Sequence, residues 1–282
     1  MLNISPLAFY ESILLQNHRR PYAFGQIRPL VIYKNELLPF QICLEGNCEV
    51  TKVILVSLQT NERKDITDEF FYAGGLYSDV KQGYTNIRYF ATYPVEAISK
   101  EGLYYLELFT IVSGQTKVYY SEVFTSTNNI EGHICLTYTN SENFYFKKGS
   151  IDFSDDFKFK CFLPTQIGKP NYAFEEEAVD RFGYAFVESQ VSKKIYNFTA
   201  VIPEYLCDAL RIVRMCDTKK IEDDTRKVYD LLTFEMDIEW QEQGDLAAAK
   251  CSFETDTIIT NTSPLLTPTN FNDDFNEDFT KN

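Results

Sequence analysis

Histidine is almost missing from this chain: there are two in 282 residues, beside three methionines and one tryptophan. Acid–base and metal chemistry lean on histidine or on converging acids. His18 and His133 stand far apart with no partner motif beside either, so neither anchors a catalytic triad. There is no G-x-S-x-G, no Walker-type loop and no G-x-G-x-x-G, which removes motif support for hydrolase, nucleotide and dinucleotide chemistry. No stretch stays apolar for the roughly 18 residues a spanning helix needs. The opening MLNISPLAFYESILLQNHRR lacks the basic start, apolar centre and small-residue cleavage site of a signal peptide, so a protein neither exported by that route nor membrane-spanning is expected. Positive charge is also short, with 27 Lys and Arg against 41 Asp and Glu and a net charge of −14. Such a balance repels phosphate backbones, and nucleic acid is not an expected partner.

The seven cysteines, at 43, 48, 135, 161, 207, 216 and 251, are odd in number and scattered through mostly apolar contexts. They read as reduced thiols serving as small core residues, not as a disulfide framework. Cys43 and Cys48 are the one close pair, but without a second pair or a nearby His they are weak zinc evidence. No metal and no cofactor is expected. The triplets at Asn197 and Asn261 resemble glycosylation acceptors and carry little meaning without secretion.

What the chain does have is aromatic mass, with 23 Phe and 19 Tyr set in polar/apolar alternation. These side chains suit half-buried pleated surfaces, and the fold class expected is mostly β. At this length two domains, each with its own core, are expected. Residues 1–29, punctuated by Pro21 and Gly25, read as an extended N-terminal arm. Strand signals then recur at Leu30–Tyr33, Leu38–Leu44, Val50–Leu58, Ile87–Tyr93, Leu103–Ile111 and Val118–Phe124, with a hairpin turn at 113–115 and no convincing helix between them. Residues 30–124 are accordingly expected to form an immunoglobulin-like or jelly-roll-like β-sandwich, with 60–84 as a long loop region suited to contacts. The polar stretch 125–130 is read as the linker.

Residues 131–262 are expected to form a second sandwich carrying one packed helix. In Phe157–Leu163 the alternate positions Phe157, Phe159, Cys161 and Leu163 are apolar, with Lys158 and Lys160 between them. Phe234–Trp240 alternates without fault and turns at 243–245 into Ala247, Ala249, Cys251 and Phe253, giving the clearest hairpin. Between them Leu206, Ala209, Leu210 and Val213 fall at helical spacing behind Pro203, predicting an amphipathic helix over Pro203–Cys216. Glu175–Glu177 opens either a strand or a short helix. Residues 263–282 form an acidic tail in which Phe271, Phe275 and Phe279 recur every fourth position. Its plain reading is a disordered, solvating end, and its sharper one is a docking peptide for a partner groove.

Candidate chemistry is sparse. Paired carboxylates across a cleft would suit glycoside hydrolysis. Asp152, Asp155 and Asp156, the Glu175–Asp180 group, and Asp237 with Glu239 all read better as solvated charge, and the first cluster lacks the spacing of an EF-type calcium loop. Tyr72, Tyr77, Tyr84, Tyr89 and Tyr93 around the long loop offer a surface for stacking sugars, although tyrosine is equally suited to protein contacts.

Three stretches resemble virion structural proteins of tailed phages that infect Bacteroidetes, including the crAss-like group. They are Ile4-Ser5-Pro6-Leu7 with Asn17-His18-Arg19-Arg20 and Tyr22-Ala23-Phe24-Gly25; Thr165-Gln166-Ile167-Gly168-Lys169-Pro170; and Glu239-Trp240-Gln241-Glu242-Gln243-Gly244-Asp245-Leu246-Ala247. The similarity spans most of residues 4–260. It implies a tail or neck component forming a ring between portal and tail, with no enzymatic site, located in the virion after assembly in the host cytoplasm. Its partners would be further copies of itself and other tail, neck or portal proteins, with no direct nucleic-acid specificity and no membrane. Contacts are then expected from Arg19 and Arg20 to acidic surface on a neighbour and from Tyr22 and Phe24 to an apolar pocket. Tyr77, Tyr84, Phe271, Phe275 and Phe279 are the remaining interface candidates. The alternative function is a glycan-binding or host-recognition module of the tail.

Overall fold

A computed structural model describes residues 2–12, 30–34, 36, 38–72, 76–81, 84–89, 98, 100–112, 114–147, 149–181, 183–240 and 246–261. The chain is mostly β, with strands numbered β1 to β21 along it and two short α-helices among the described residues. One four-stranded sheet runs in the order β1 (Leu2–Asn3), β4 (Gln41–Glu45), β8 (Tyr84–Tyr89), β7 (Leu76–Lys81). The largest sheet passes through β19 (Val228–Asp230), β18 (Thr218–Glu222), β12 (Ile134–Thr139), β15 (Phe159–Leu163), β3 (Leu30–Tyr33), β11 (Phe124–Thr127), β9 (Gly102–Val112), β10 (Gln115–Ser121) and β2 (Phe9–Tyr10). On the other side of β9 it adds β5 (Cys48–Ser57), which carries β6 (Arg63–Asp65). A small hairpin joins β13 (Phe144–Phe146) to β14 (Gly149–Ile151). The last sheet orders β16 (Asn171–Arg181), β17 (Tyr184–Pro203), β21 (Leu246–Asn261) and β20 (Thr233–Trp240).

The segment read as a linker is in part a strand. Thr125–Thr127 continue β11, which pairs parallel with β3 and antiparallel with β9. Small hydroxyl residues suggested a solvated tether, but threonine suits a strand and Ser126 buries its hydroxyl by donating to the Ile98 carbonyl. Val31 of β3 also pairs with Phe162 of β15, so strands from both halves share one sheet. A single cluster of buried side chains runs from Ile4 and Phe9 through Phe124 and Phe159 to Phe198 and Phe253. The two halves therefore meet across continuous sheet and shared core.

Two further local expectations change. The loop region after residue 60 contains β6, α1 (Thr67–Tyr72) and β7. Six residues show no helical period in sequence; α1 is held by Phe70, which is fully buried, and by Asp65, which accepts from the Thr67 backbone N–H at 3.1 Å. The expected helix after Pro203 forms as α2 (Glu204–Leu210), with Pro203 extended at its N-cap, and tightens to a 3-10 turn at Val213–Met215. The tighter winding turns Ile212, Val213 and Cys216 inward before the chain straightens into β18. Leu206, Ala209, Leu210 and Val213 are all buried, as their spacing predicts, against β17, β21 and the neighbouring core.

The four-stranded sheet is fastened to the second half of the chain by a buried polar network. Arg88 of β8, 1% exposed, donates to the carbonyls of Asp152 (3.2 Å) and Ser154 (2.8 Å), to the Ser154 hydroxyl (3.2 Å) and to the Asp155 carboxylate (2.8 Å). Its guanidinium also lies 5.5 Å from the centre of the Phe157 ring. Gln41 of β4 clamps the same loop. Its amide nitrogen donates to the Asp152 carbonyl at 2.8 Å, while its amide oxygen accepts from the Asp152 N–H at 2.6 Å and from Asn86 at 3.1 Å. Ser5 closes the network by exchanging hydrogen bonds with the Gln41 backbone.

This overturns the solvated reading for Asp152, whereas Asp155 and Asp156 are exposed as expected. Asp152 is buried and caps its own turn, accepting from the Ser154 N–H at 2.9 Å and hydroxyl at 2.7 Å. Asp155 and Asp156 adopt left-handed backbone (φ 57° and 59°), which Asp tolerates better than most residues.

Removing the guanidinium takes a donor from two backbone carbonyls, a hydroxyl and a carboxylate at the junction. Arg88→Met is expected to destabilise the fold by about 3–5 kcal/mol, as measured by chemical denaturation followed by circular dichroism. Asp155→Asn, at a side chain 59% exposed, is expected to cost less than about 1 kcal/mol. Equal effects from the two substitutions would refute this account of the junction.

Candidate interaction sites

Two surfaces stand out. The first is a pocket of about 290 Å³ between the four-stranded sheet and the β13–β14 hairpin. Tyr84, half-buried at the start of β8, and Tyr145, 71% exposed in the middle of β13, supply aromatic faces, with Phe146 and Lys147 beside them. Asn86 lies at its buried side and is fixed there, its amide donating to the Gln41 side chain and to the Ser150 carbonyl, each at 3.1 Å. Lysine, amide and phenol groups around aromatic rings suit a hydroxyl-rich ligand. No carboxylate is among the described residues that line the pocket, so they supply contacts without the acid pair that glycoside cleavage uses.

The second surface is the outer end of the last sheet. At its inner end Tyr196, Phe198, Ala200, Ile202, Ala247, Ala249, Cys251, Phe253 and Phe234 are buried, with α2 packed against β17 and β21. Beyond that point the character changes. From Asn171 to Ile195 and from Glu254 to Thr260, none of the described side chains is buried. Three strands thus continue as a ribbon open on both faces.

Strand register assigns those faces, because directly opposed residues share a side. One face carries the row Phe174–Ser192–Ile258, next to Tyr172–Lys194–Asp256 and Glu176–Gln190–Thr260. The other carries Glu175–Val191–Ile259 and Ala173–Lys193–Thr257. Tyr172, Phe174, Ile258 and Ile259 are 61%, 73%, 59% and 64% exposed. Glu175–Glu177 lie in β16, deciding strand over helix at that point. Glu175 pairs with Lys193 at 2.6 Å and Glu176 accepts from Gln190 at 2.9 Å. Asp180 bends the ribbon's turn by accepting from the Gly183 N–H at 3.0 Å.

Of the residues singled out in sequence, Tyr84 lines the pocket. Tyr77 lies in β7 opposite Arg88 in register, and its side chain is outside the described residues. Arg19, Arg20, Tyr22, Phe24, Phe271, Phe275 and Phe279 also lie outside them. Sequence reasoning missed Tyr145 and Asn86; the aromatic run Phe144-Tyr145-Phe146 before Lys147 was the available signal for the former. It also missed Tyr172 and Phe174. Asp237 and Glu239 are exposed on β20, as their alternation predicts. His133 is engaged locally, its Nδ1 3.0 Å from the Glu131 carbonyl.

The Thr165–Pro170 stretch has a structural role. Thr165 donates its hydroxyl to the Thr199 carbonyl at 2.8 Å, and the Gly168 N–H reaches the Asn197 carbonyl at 2.8 Å. A β-carbon at 168 would sit 3.1 Å from that same carbonyl, which is why the smallest residue stands there.

All seven cysteines are free and buried, and among the described residues no three His, Cys, Asp or Glu side chains gather to hold a metal. No described helix is long and apolar enough to cross a membrane. In comparison with known proteins, no family model matches the chain and none of the curated proteins matches it.

Burial pushes the thiols of Cys135, Cys216 and Cys251 from 9.0 up to about 12, and that of Cys207 up to about 11. The folded chain keeps these protons while the unfolded chain releases them above pH 9, so folding stability falls as pH rises from about 9 towards 12. Denaturation midpoints at pH 10 are expected below those at pH 8, and Cys251→Val is expected to flatten that slope. Alkylation by iodoacetamide should be slow in the native protein and fast in denaturant; equal rates would contradict the burial of these thiols.

Proposed function

We propose that this chain is a non-enzymatic structural protein of a phage virion, whose copies close into a ring in the tail or neck at the portal-to-tail connection. The resemblance of its three sequence stretches to such proteins motivates the assignment, and the open ribbon is the observation that supports it most. Ordering a residue's backbone costs about 1–2 kcal/mol, and strands stabilise themselves by burying at least one face. A ribbon with apolar side chains on two wet faces is the kind of element that contact with a neighbour completes. Closed rings use heterologous contacts, in which one patch of a subunit meets a different patch of the next. Partners under this proposal are further copies and adjoining tail, neck or portal proteins, and its place is the virion.

The pocket favours a second function, a glycan-binding or host-recognition module of the tail, with Tyr84 and Tyr145 as the stacking pair.

Ring assembly predicts that the purified chain self-associates as concentration rises, read by sedimentation and negative-stain imaging, and that it is recovered from disrupted particles. A chain that stays monomeric and is missing from particles would end the proposal. For glycan binding the expected result is an array signal weakened about tenfold by Tyr84→Ala or Tyr145→Ala. A signal indifferent to both rings would remove the pocket from consideration.

A further inference from the structure

We infer that the outer ribbon of β16, β17 and β21 is the seat for the basic N-terminal arm, residues 13–29, of a second copy of this chain. This rests on ring assembly and specifies the contact it uses.

Charge selects the occupant. The ribbon segments 171–194 and 254–261 contain seven carboxylates against three cations. Two ribbons brought together would oppose like charges, and the tail, with Asp273, Asp274, Glu277 and Asp278, would meet the same repulsion. Residues 12–35 are the longest stretch of the chain without Asp or Glu, and the arm within it carries Arg19, Arg20 and Arg28. In a chain of net charge −14, that stretch is the natural complement of the ribbon.

The apolar chemistry also matches. On the ribbon, Phe174 and Ile258 flank the small Ser192, which leaves a shallow apolar trough between them. The arm brings Tyr22 and Phe24 beside its arginines, the residue types that anchor interfaces most often.

Backbone geometry supplies a third argument. β20 pairs with β21 only as far as Glu254, so along Thr255–Asn261 the edge turned away from β17 has no strand partner among the described residues. An edge of this kind accepts an added strand. Between Pro21 and Pro29 the arm offers Tyr22–Arg28, seven residues that all keep their N–H, against seven on the open edge.

The test uses the full-length protein. Charge reversal at Glu176→Lys and Asp256→Lys, the carboxylates on the same face as the trough, is expected to weaken self-association at least about tenfold, and Arg19→Glu with Arg20→Glu to do the same. All four changes together should recover most of the loss, with circular dichroism confirming an unchanged fold. A photo-crosslinking residue at position 258 should yield products of twice the chain mass in which residues 13–29 carry the adduct.

Adducts confined within one chain, or joined to any other segment, would overturn the contact. Association that persists through both charge reversals would overturn it too, while leaving ring assembly standing. A wild-type chain that never associates would sink both.

Discussion

A guanidinium sealed from water must find partners for a fan of N–H groups, and Arg88 finds them in one short turn on the other half of the chain. Two backbone carbonyls are among its acceptors, so the arrangement depends on the path of residues 152–155 as much as on any side chain. The cost of desolvating the charge is offset only while that path is kept. Gln41 adds a two-way clamp on Asp152, satisfying the N–H and C=O of one residue with one amide. The four-stranded sheet and the shared core are thereby held in one relative position. A layer joined only by apolar packing would have several nearly equivalent seats, whereas a hydrogen-bonded network of this sort has one.

Much of the fold was legible because alternation reports one-sided burial well. Phe157, Phe159, Cys161 and Leu163 are all buried, as the period of two required. Phe162, on the opposite face, is buried as well, pairing in register with Val31, lying 6.3 Å from the Tyr33 ring and covered by the Lys160 ammonium at 6.0 Å. In the hairpin from Thr233 the pattern weakens towards the turn: Phe234 is buried, Met236 and Ile238 half-buried and Trp240 exposed. Alternation gives the face and leaves open how far along it the core extends. The strand at Thr125–Thr127 was hidden because small polar residues look alike in a tether and in a strand whose hydroxyls bond carbonyls.

The candidate surfaces were less visible for a related reason. Sequence marks Glu175–Glu177 as wet without saying that the strands around them are wet on both sides, which follows from where α2 and the core stop. Tyr84 stood out as one of several tyrosines, and its distinction comes from lining one pocket with Tyr145, more than fifty residues away in the chain. Asp152, grouped with two other acids, gave no sign of being buried, since its partner Arg88 lies far off in sequence.

The pocket and the junction are parts of one construction. Asn86, which borders the pocket, bonds Gln41, and Gln41 bonds Asp152, whose carbonyl also receives Arg88. Ser150, another lining residue, accepts from the same Asn86 amide and lies two positions before Asp152. The polar wall between Tyr84 and Tyr145 is thus fixed by hydrogen bonds that hold the sheets together, and its groups are positioned before any ligand arrives. The ribbon is built in the opposite way, from strands whose far ends gain nothing from the core. A preorganised wall favours binding at low entropic cost, while an uncovered ribbon has its stabilisation still to gain. That difference sets the ribbon apart from the pocket: a contact covering the ribbon would add burial that its strands lack, whereas the pocket wall is already fixed.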